Sequence, residues 1–311
     1  MSRSRVALLA GALGVAASLA PARAHAWCRT TTNRDFLATP DRPCDVDGLP
    51  LYWGSKCVGY SVQRDASVQV DLDTARRLTA EAFDQWSNVA CPADPIACGG
   101  PSGAHPSISA KDLGPVGCNC VEFNKTAGNA NVIMFRDEGW VDCDGTPKKD
   151  GDSIIALTTV TFSTETGEIF DADMEVNTAN VRITTSDTKV IFDFASVLTH
   201  ETGHFLGLAH TQPANTAATM YTRYEPGKTF MRDPSDDDRC AICAAYPPGR
   251  STICDATPRR GLALDCQGRD PATTKKGCQC SMPGASTDGT LAWIGFALLA
   301  AGRWGRRYTL R

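Results

Sequence analysis

Three things are scarce in this chain of 311 residues, and each scarcity removes a class of function. There is no excess of basic charge: 31 Lys and Arg stand against 35 Asp and Glu, a formal net charge of −4. An acidic chain of this kind argues against nucleic-acid partners and is compatible with calcium sites. There is also no apolar run of the roughly 20 residues that an ordinary membrane span needs. The two longest, Val6–Ala20 and Leu291–Ala301, both fall short. The first follows Arg3 and Arg5 and precedes Ala24-His25-Ala26, the pattern of a secretory signal peptide. Residues 1–26 are therefore expected to be removed, with the mature chain starting at Trp27. Loss of Arg3, Arg5 and Arg23 then leaves 28 basic against 35 acidic side chains, a net charge near −7. Histidine is the third scarcity. Only five exist, at 25, 105, 200, 204 and 210, and His25 leaves with the signal.

Cysteine, by contrast, is abundant. All 14 lie beyond the signal peptide, and an even number in an exported chain reads first as disulfides. Spacing does not give the connectivity. Cys118 and Cys120 are too close to pair comfortably with each other, so each is expected to reach elsewhere. Cys240-x-x-Cys243 has zinc-ligand spacing, but Cys254, Cys266, Cys278 and Cys280 form no second matching knuckle, and export favours oxidation.

Residues 27–50 are polar and turn-rich, with Cys28 and Cys44 and little periodicity. They are too few for a folded prodomain. Val58–Val62 reads as a strand. Leu72, Ala75, Leu78, Ala82, Phe83, Trp86 and Val89 then recur at helical spacing behind Asp71 and Asp73 as candidate caps. Phe83 and Trp86 are assigned to the core. Cys91–Cys120, rich in Gly, Pro and Cys, is an irregular insertion pinned by disulfides. Further strands are expected at Asn131–Arg136, Ile154–Phe162 and Glu168–Val176, the last two joined by a turn at Thr164–Gly167. Asp171, Asp173 and Glu175 alternate along the last strand and share one face. That face is read as solvated, with a calcium-binding edge as the sharper alternative. A helix is expected over Val190–Gly207, and another after Asp237 and Asp238, stopped by Pro247-Pro248. Beyond Gly249 the composition shifts to Cys, Gly, Pro, Thr and charge, a linker or small disulfide-tied stalk.

One stretch constrains chemistry more than any other: His200-Glu201-Thr202-Gly203-His204-Phe205-Leu206-Gly207-Leu208-Ala209-His210. On a helix, His200 and His204 project from one face, and two neutral imidazoles at that spacing can grip one metal ion. Glu201 stands beside them with a carboxylate able to move a proton. Gly207 can adopt a left-handed backbone, ending the helix and bringing His210 round as a third ligand.

This pattern, H-E-x-x-H-x-x-G-x-x-H, resembles that of the metzincin zinc proteases. Met220 fits the place of their Met-turn methionine. Tyr221 follows it directly and Thr222 comes next, as in matrixins; astacin-like and serralysin-like members put tyrosine two residues after the methionine. Asp237-Asp238 with Ile242 and Tyr246, and Ala82-Phe83 with Trp86, resemble matrixin helices. The likeness covers roughly residues 51–248. It implies an α+β catalytic domain with a twisted mixed sheet, two or three helices and a zinc cleft, here reinforced by disulfides. It further implies Zn(2+) on His200, His204 and His210, Glu201 as general base, and Gly207 and Met220 as supports of the metal site. Ile154–Phe162 becomes the edge strand along which protein or peptide substrates lie extended. The second, structural zinc of vertebrate matrix metalloproteases uses several histidines, and His105 alone remains for it, so that site is expected to be absent. Arg42-Pro43-Cys44-Asp45 is similar to the cysteine switch of those enzymes but has its residues in the wrong order, and Cys44 is assigned to a disulfide.

The C-terminus resembles a myxobacterial-type sorting tail: Gly277, Cys278 and Cys280, a short apolar helix over 291–301, then Arg303, Arg306, Arg307 and Arg311. The expected organisation is thus a signal peptide (1–26), a short N-terminal segment (27–50), a catalytic domain (51–248), a Cys-rich linker (249–290) and a tail (291–311). The tail implies attachment at the cell surface, the one expected contact with a membrane. The expected activity is that of an exported zinc endopeptidase. The alternative of another class is a surface adhesion or binding module that keeps a zinc site with little catalysis. A closed, purely structural zinc site has no use for Glu201, which weighs against it.

Overall fold

In the computed structural model the described residues are 26–266, apart from 34, 37–41, 43, 46, 94–97, 99–100, 102, 149–150, 152 and 213, together with the backbone strand 291–300. The expected signal peptide up to His25, Cys278, Cys280 and the terminal arginines lie outside them. The strands, in chain order, are β1 (Cys28–Arg29), β2 (Cys57–Val62), β3 (Ser109–Asp112), β4 (Val132–Phe135), β5 (Ile154–Ser163), β6 (Ile169–Val176), β7 (Ile183–Thr184), β8 (Phe192–Asp193), β9 (Leu208–Ala209), β10 (Arg223–Tyr224) and β11 (Leu291–Ala300). Three helices accompany them: α1 (Leu72–Ser87), α2 (Phe194–Phe205) and α3 (Asp236–Ala245).

β-Branched and aromatic residues dominate β5, and its Val, Ile and Thr side chains suit a pleated, half-buried surface. It forms an antiparallel hairpin with β6, closed by a turn in which Gly167 takes φ +78°. β6, β4, β2 and β3 follow side by side, all parallel. These five strands are the larger part of a mixed seven-stranded sheet, completed by β11 and β10, and the chain has the expected α+β architecture.

α1 and α2 cover one face of this sheet. Asp71 caps α1 by accepting from the Thr74 amide at 2.9 Å. The residues at helical spacing (Ala75, Leu78, Ala82, Phe83, Trp86) are buried. Phe83 stacks on Tyr60 of β2 at 4.6 Å between ring centroids and meets Phe205 of α2 edge-on at 5.0 Å. Trp86 donates its indole N–H to the carbonyl of Thr199 at 2.8 Å, tying α1 to α2. Truncating either aromatic to alanine would cost about 3–5 kcal/mol by the usual scale of core cavities.

The opposite face of the sheet is covered too. Val132 and Met134 of β4 pack with Val116, Cys118 and Ala130, joined by Leu262 and Cys266. Residues 249–266 run back along this layer, held by Cys57–Cys254 and Cys118–Cys266 and by backbone bonds such as Gly117 N to Leu264 O at 2.7 Å. The other described bridges are Cys28–Cys44, Cys91–Cys243, Cys98–Cys240 and Cys120–Cys143. Cys118 and Cys120 therefore do reach elsewhere, Cys44 is in a disulfide, and both members of Cys240-x-x-Cys243 are too.

This second layer overturns the solvated reading of Asp171, Asp173 and Glu175. All three are buried, at most 1 % exposed. Glu175 is paired with Arg136, at 2.7 Å from Nε, and with Lys148. Asp173 accepts from the amides of Val132 and Glu122 at 2.9 and 3.1 Å. Asp171 has no such partner among the described residues. Burial, then the negative charges of Asp173 and Glu122, raises its carboxyl well above the ordinary carboxylate range.

Two further expectations are corrected. α2 begins at Phe194, because Phe192–Asp193 is a short strand paired with Ile183–Thr184 and Asp193 is the cap. The apolar stretch near the C-terminus is a strand: β11 pairs antiparallel with β5, and β10 pairs parallel with β11. β5 is consequently not an edge strand, since β11 lies along its outer side.

Candidate metal centre

α2 is built to hold its histidines rigidly. Asp193 caps it, accepting from the Ser196 amide at 2.9 Å, and the same carboxylate takes a two-pronged bond from Arg232, at 2.8 Å from Nε and 2.6 Å from Nη2. Phe194, Val197, Leu198 and Phe205 anchor it in the core with no measurable exposure. The helix stops at Phe205. Gly207 then adopts φ +86°, and a Cβ there would stand 2.8 Å from the carbonyl oxygen of Leu51, so only glycine suits this position. β9 follows and pairs with β1, returning the chain so that His210 faces His200 and His204.

The three Nε2 atoms converge. They lie 3.1 Å (His200–His204), 3.1 Å (His204–His210) and 3.3 Å (His200–His210) apart. A tetrahedral zinc with bonds of about 2.1 Å sets its ligand nitrogens roughly 3.4 Å apart, close to this spacing. The other ring nitrogens fix the tautomer. His200 Nδ1 donates to the carbonyl of Thr219 at 2.6 Å, and His204 Nδ1 to that of Leu208 at 2.9 Å. Both Nε2 atoms thus present lone pairs to a common point. Burial pushes His200 down to about 4, and burial together with the neighbouring imidazoles holds His204 and His210 well below the ordinary histidine range. Neutral imidazoles with converging lone pairs form a cation site; among the described residues this is the one group of His, Cys, Asp or Glu side chains placed to hold a metal ion. His105 stands apart, its Nδ1 2.9 Å from the carbonyl of Val89.

Around the triad the surroundings are supportive. Met220 is buried under α2, where a Cβ on Gly203 would collide with its sulfur. Asp238, at the start of α3, accepts from the amides of Thr219 and Met220 at 2.7 and 3.1 Å. It therefore fixes the carbonyl that orients His200. The N-terminal segment fixes the other oriented histidine: the Thr30 hydroxyl reaches Leu208 O at 3.1 Å and the Thr30 amide reaches Gly207 O at 3.1 Å. Glu201 is wholly buried, and its Oε2 accepts from the hydroxyl of Thr158 on β5 at 2.6 Å.

Every residue assigned to the site from the sequence lies in this cluster. Sequence reasoning missed Thr158, Thr30 and the two histidine-orienting carbonyls of Thr219 and Leu208. The carbonyls belong to the backbone and leave no signal. Asp238 was seen only as part of a helix pattern.

Comparison with known proteins agrees with this geometry. The family model of the matrixins, a peptidase family, matches residues 52–247. The chain belongs to the matrixin family. A relative found among curated proteins is Metalloendoproteinase 1-MMP of Arabidopsis thaliana, 27 % identical over 226 residues. That alignment takes in 70 % of this chain and 50 % of the plant protein, so the chain spans about half the length of the curated relative it matches. Matrixins are zinc enzymes, and the triad His200, His204 and His210 could hold such an ion.

Proposed function

We propose that this matrixin is an exported zinc-dependent endopeptidase acting on protein or peptide substrates. The observation that carries the reading is the convergence of three imidazole Nε2 atoms within 3.3 Å of one another, two of them buried on a helix whose next residue after His200 is a glutamate and the third, His210, partly buried beyond it. His200, His204 and His210 would hold zinc, which when bound acidifies a water molecule and polarises the scissile carbonyl. Glu201 takes the proton of the attacking water on its carboxylate and delivers it to the departing amine. Thr158 holds that carboxylate in place. Met220 and Gly207 support the site by packing and by the turn.

Export rests on the signal-peptide pattern of residues 1–26 and on the six described bridges, which suit an oxidising compartment. Surface attachment through residues 291–311, with 249–290 as the segment leading to it, is part of the same proposal. Calcium at Asp171, Asp173 and Glu175 enters it as a titration: binding there has to compete with Arg136 and Lys148 for Glu175, and calorimetry on metal-stripped protein decides it.

The test of the activity is incubation with casein or gelatin, with and without a chelator, beside a Glu201→Ala variant. Cleavage is expected from the wild type alone and only without chelator. Equal cleavage by wild type and variant would sink the mechanism. No cleavage by the wild type would favour the adhesion-module reading.

A further inference from the structure

β5 adjoins the candidate metal centre, because Thr158 in its middle reaches the carboxylate of Glu201, the residue after His200. β10, shortly after Met220, lies two places from β5 in the same sheet. Between them runs the backbone of β11. Its ladder with β5 extends from Leu291 opposite Ser163 to Leu299 opposite Ile154, with one irregularity between Leu298 and Leu299. Its last two residues pair with Arg223 and Tyr224 of β10. Phe296 is the residue opposite Thr158, so the segment crosses beside the catalytic carboxylate.

We propose that Leu291–Ala300 is an intramolecular occupant of the substrate cleft and that the site opens only when this segment leaves. The clause about substrate rests on the endopeptidase reading. An extended peptide binds a sheet edge through backbone N–H and C=O groups, with little dependence on its side chains. β5 has one outer edge, and two strands cannot share it. Tethering makes the competition intramolecular, at an effective concentration of the order of millimolar, so an untethered peptide must displace a strand that is always at hand. The arrangement also pairs the backbone groups of a ten-residue strand whose bare edge would invite aggregation. A segment lying in the cleft cannot also be held in a membrane. Attachment or removal of the tail outside the cell would therefore open the site.

The test compares the full chain with a Phe296→Pro/Ala297→Pro variant. Successive residues of an antiparallel strand aim their N–H groups to opposite sides, so one of the two prolines always removes a bond to β5. Hydrogen exchange is read first, with both chains carrying Glu201→Ala so that the tail stays intact. Amides of β5 that face β11 should be protected in the full chain and exchange at least about tenfold faster in the proline variant, while α2 and β6 keep their protection. Equal exchange along β5 overturns the proposal. A chain ending at Thr290 replaces the proline variant should α2 or β6 also lose protection. With Glu201 intact, KM for a fluorogenic peptide should fall about tenfold with kcat unchanged, the shift expected of a cleft filled nine-tenths of the time. An unchanged KM also overturns it. If neither chain cleaves any peptide, the endopeptidase reading fails, while the exchange result still decides whether β11 fills the cleft.

Discussion

The hydroxyl of Thr158 on β5 donates a 2.6 Å hydrogen bond to Oε2 of Glu201 on α2, and neither side chain has measurable exposure. The same oxygen stands 3.3 Å from the Glu201 carbonyl, so the strand holds Glu201 at both its backbone and its tip. A hydrogen bond to a charged group contributes about 1.5–3 kcal/mol. If Thr158 positions the base, Thr158→Val should lower kcat roughly ten- to hundredfold with KM and zinc content unchanged. Thr158→Ser, which keeps the hydroxyl, should restore most of the rate. Loss of rate in both variants, or a matching loss of zinc, would assign Thr158 a packing role instead.

Asp238 reaches the metal centre through two bonds in series, from its carboxylate to the Thr219 amide and from the Thr219 carbonyl to His200. Partners that orient metal-binding histidines typically matter ten- to hundredfold for metal affinity. Asp238→Ala should therefore weaken zinc binding by about that factor although Asp238 touches no ligand directly. Competition against a fluorescent zinc chelator measures it, and wild-type affinity in the variant would refute the link.

Asp171 yields a prediction of sign. Its folded carboxyl titrates well above the ordinary range because it is buried near Asp173 and Glu122. A carboxyl raised in this way contributes its full stability below the unfolded pKa and loses it as pH rises through the folded one. Asp171→Asn cannot ionise. Its melting temperature relative to wild type should therefore rise as pH increases from about 4 to about 8, measured in calcium-free buffer. A gap that stays constant with pH, or narrows, contradicts the burial argument.

Metal removal should show in stability as well as in activity. The three imidazole Nε2 atoms lie within 3.3 Å of each other, and a bound cation would be shared by their lone pairs. Ligand bound only to the native state adds about 4 kcal/mol at a thousandfold excess over Kd. The chelated protein should thus melt several degrees lower, recover on titration with zinc, and show no such response in a His204→Ala variant.

The metal triad, the three helices and the hairpin of β5 and β6 were legible because each rests on local periodicity or a local cap. The misreadings share a cause. Alternation along β6 places Asp171, Asp173 and Glu175 on one face, but it cannot say whether water or another stretch of chain covers that face. Here residues around Glu122 do, together with Arg136 and Lys148, which are remote in sequence. Val190-Ile191-Phe192 continues the apolar pattern of α2 outward, yet Phe192 pairs with Ile183 and the true cap is Asp193. Ten apolar residues at 291–300 fit a short helix or a buried strand equally well by composition, and only a partner, β5, decides between them.

The bridges also set a schedule. Cys57, Cys91, Cys98 and Cys118 lie in the first half of the chain and wait for Cys254, Cys243, Cys240 and Cys266, between 142 and 197 residues later. None of these four bonds can close until the whole of the metal-binding stretch has been delivered to an oxidising compartment. With export as proposed, the cell that makes this protein is shielded by order of arrival: the fully cross-linked chain comes into being only on the far side of the membrane.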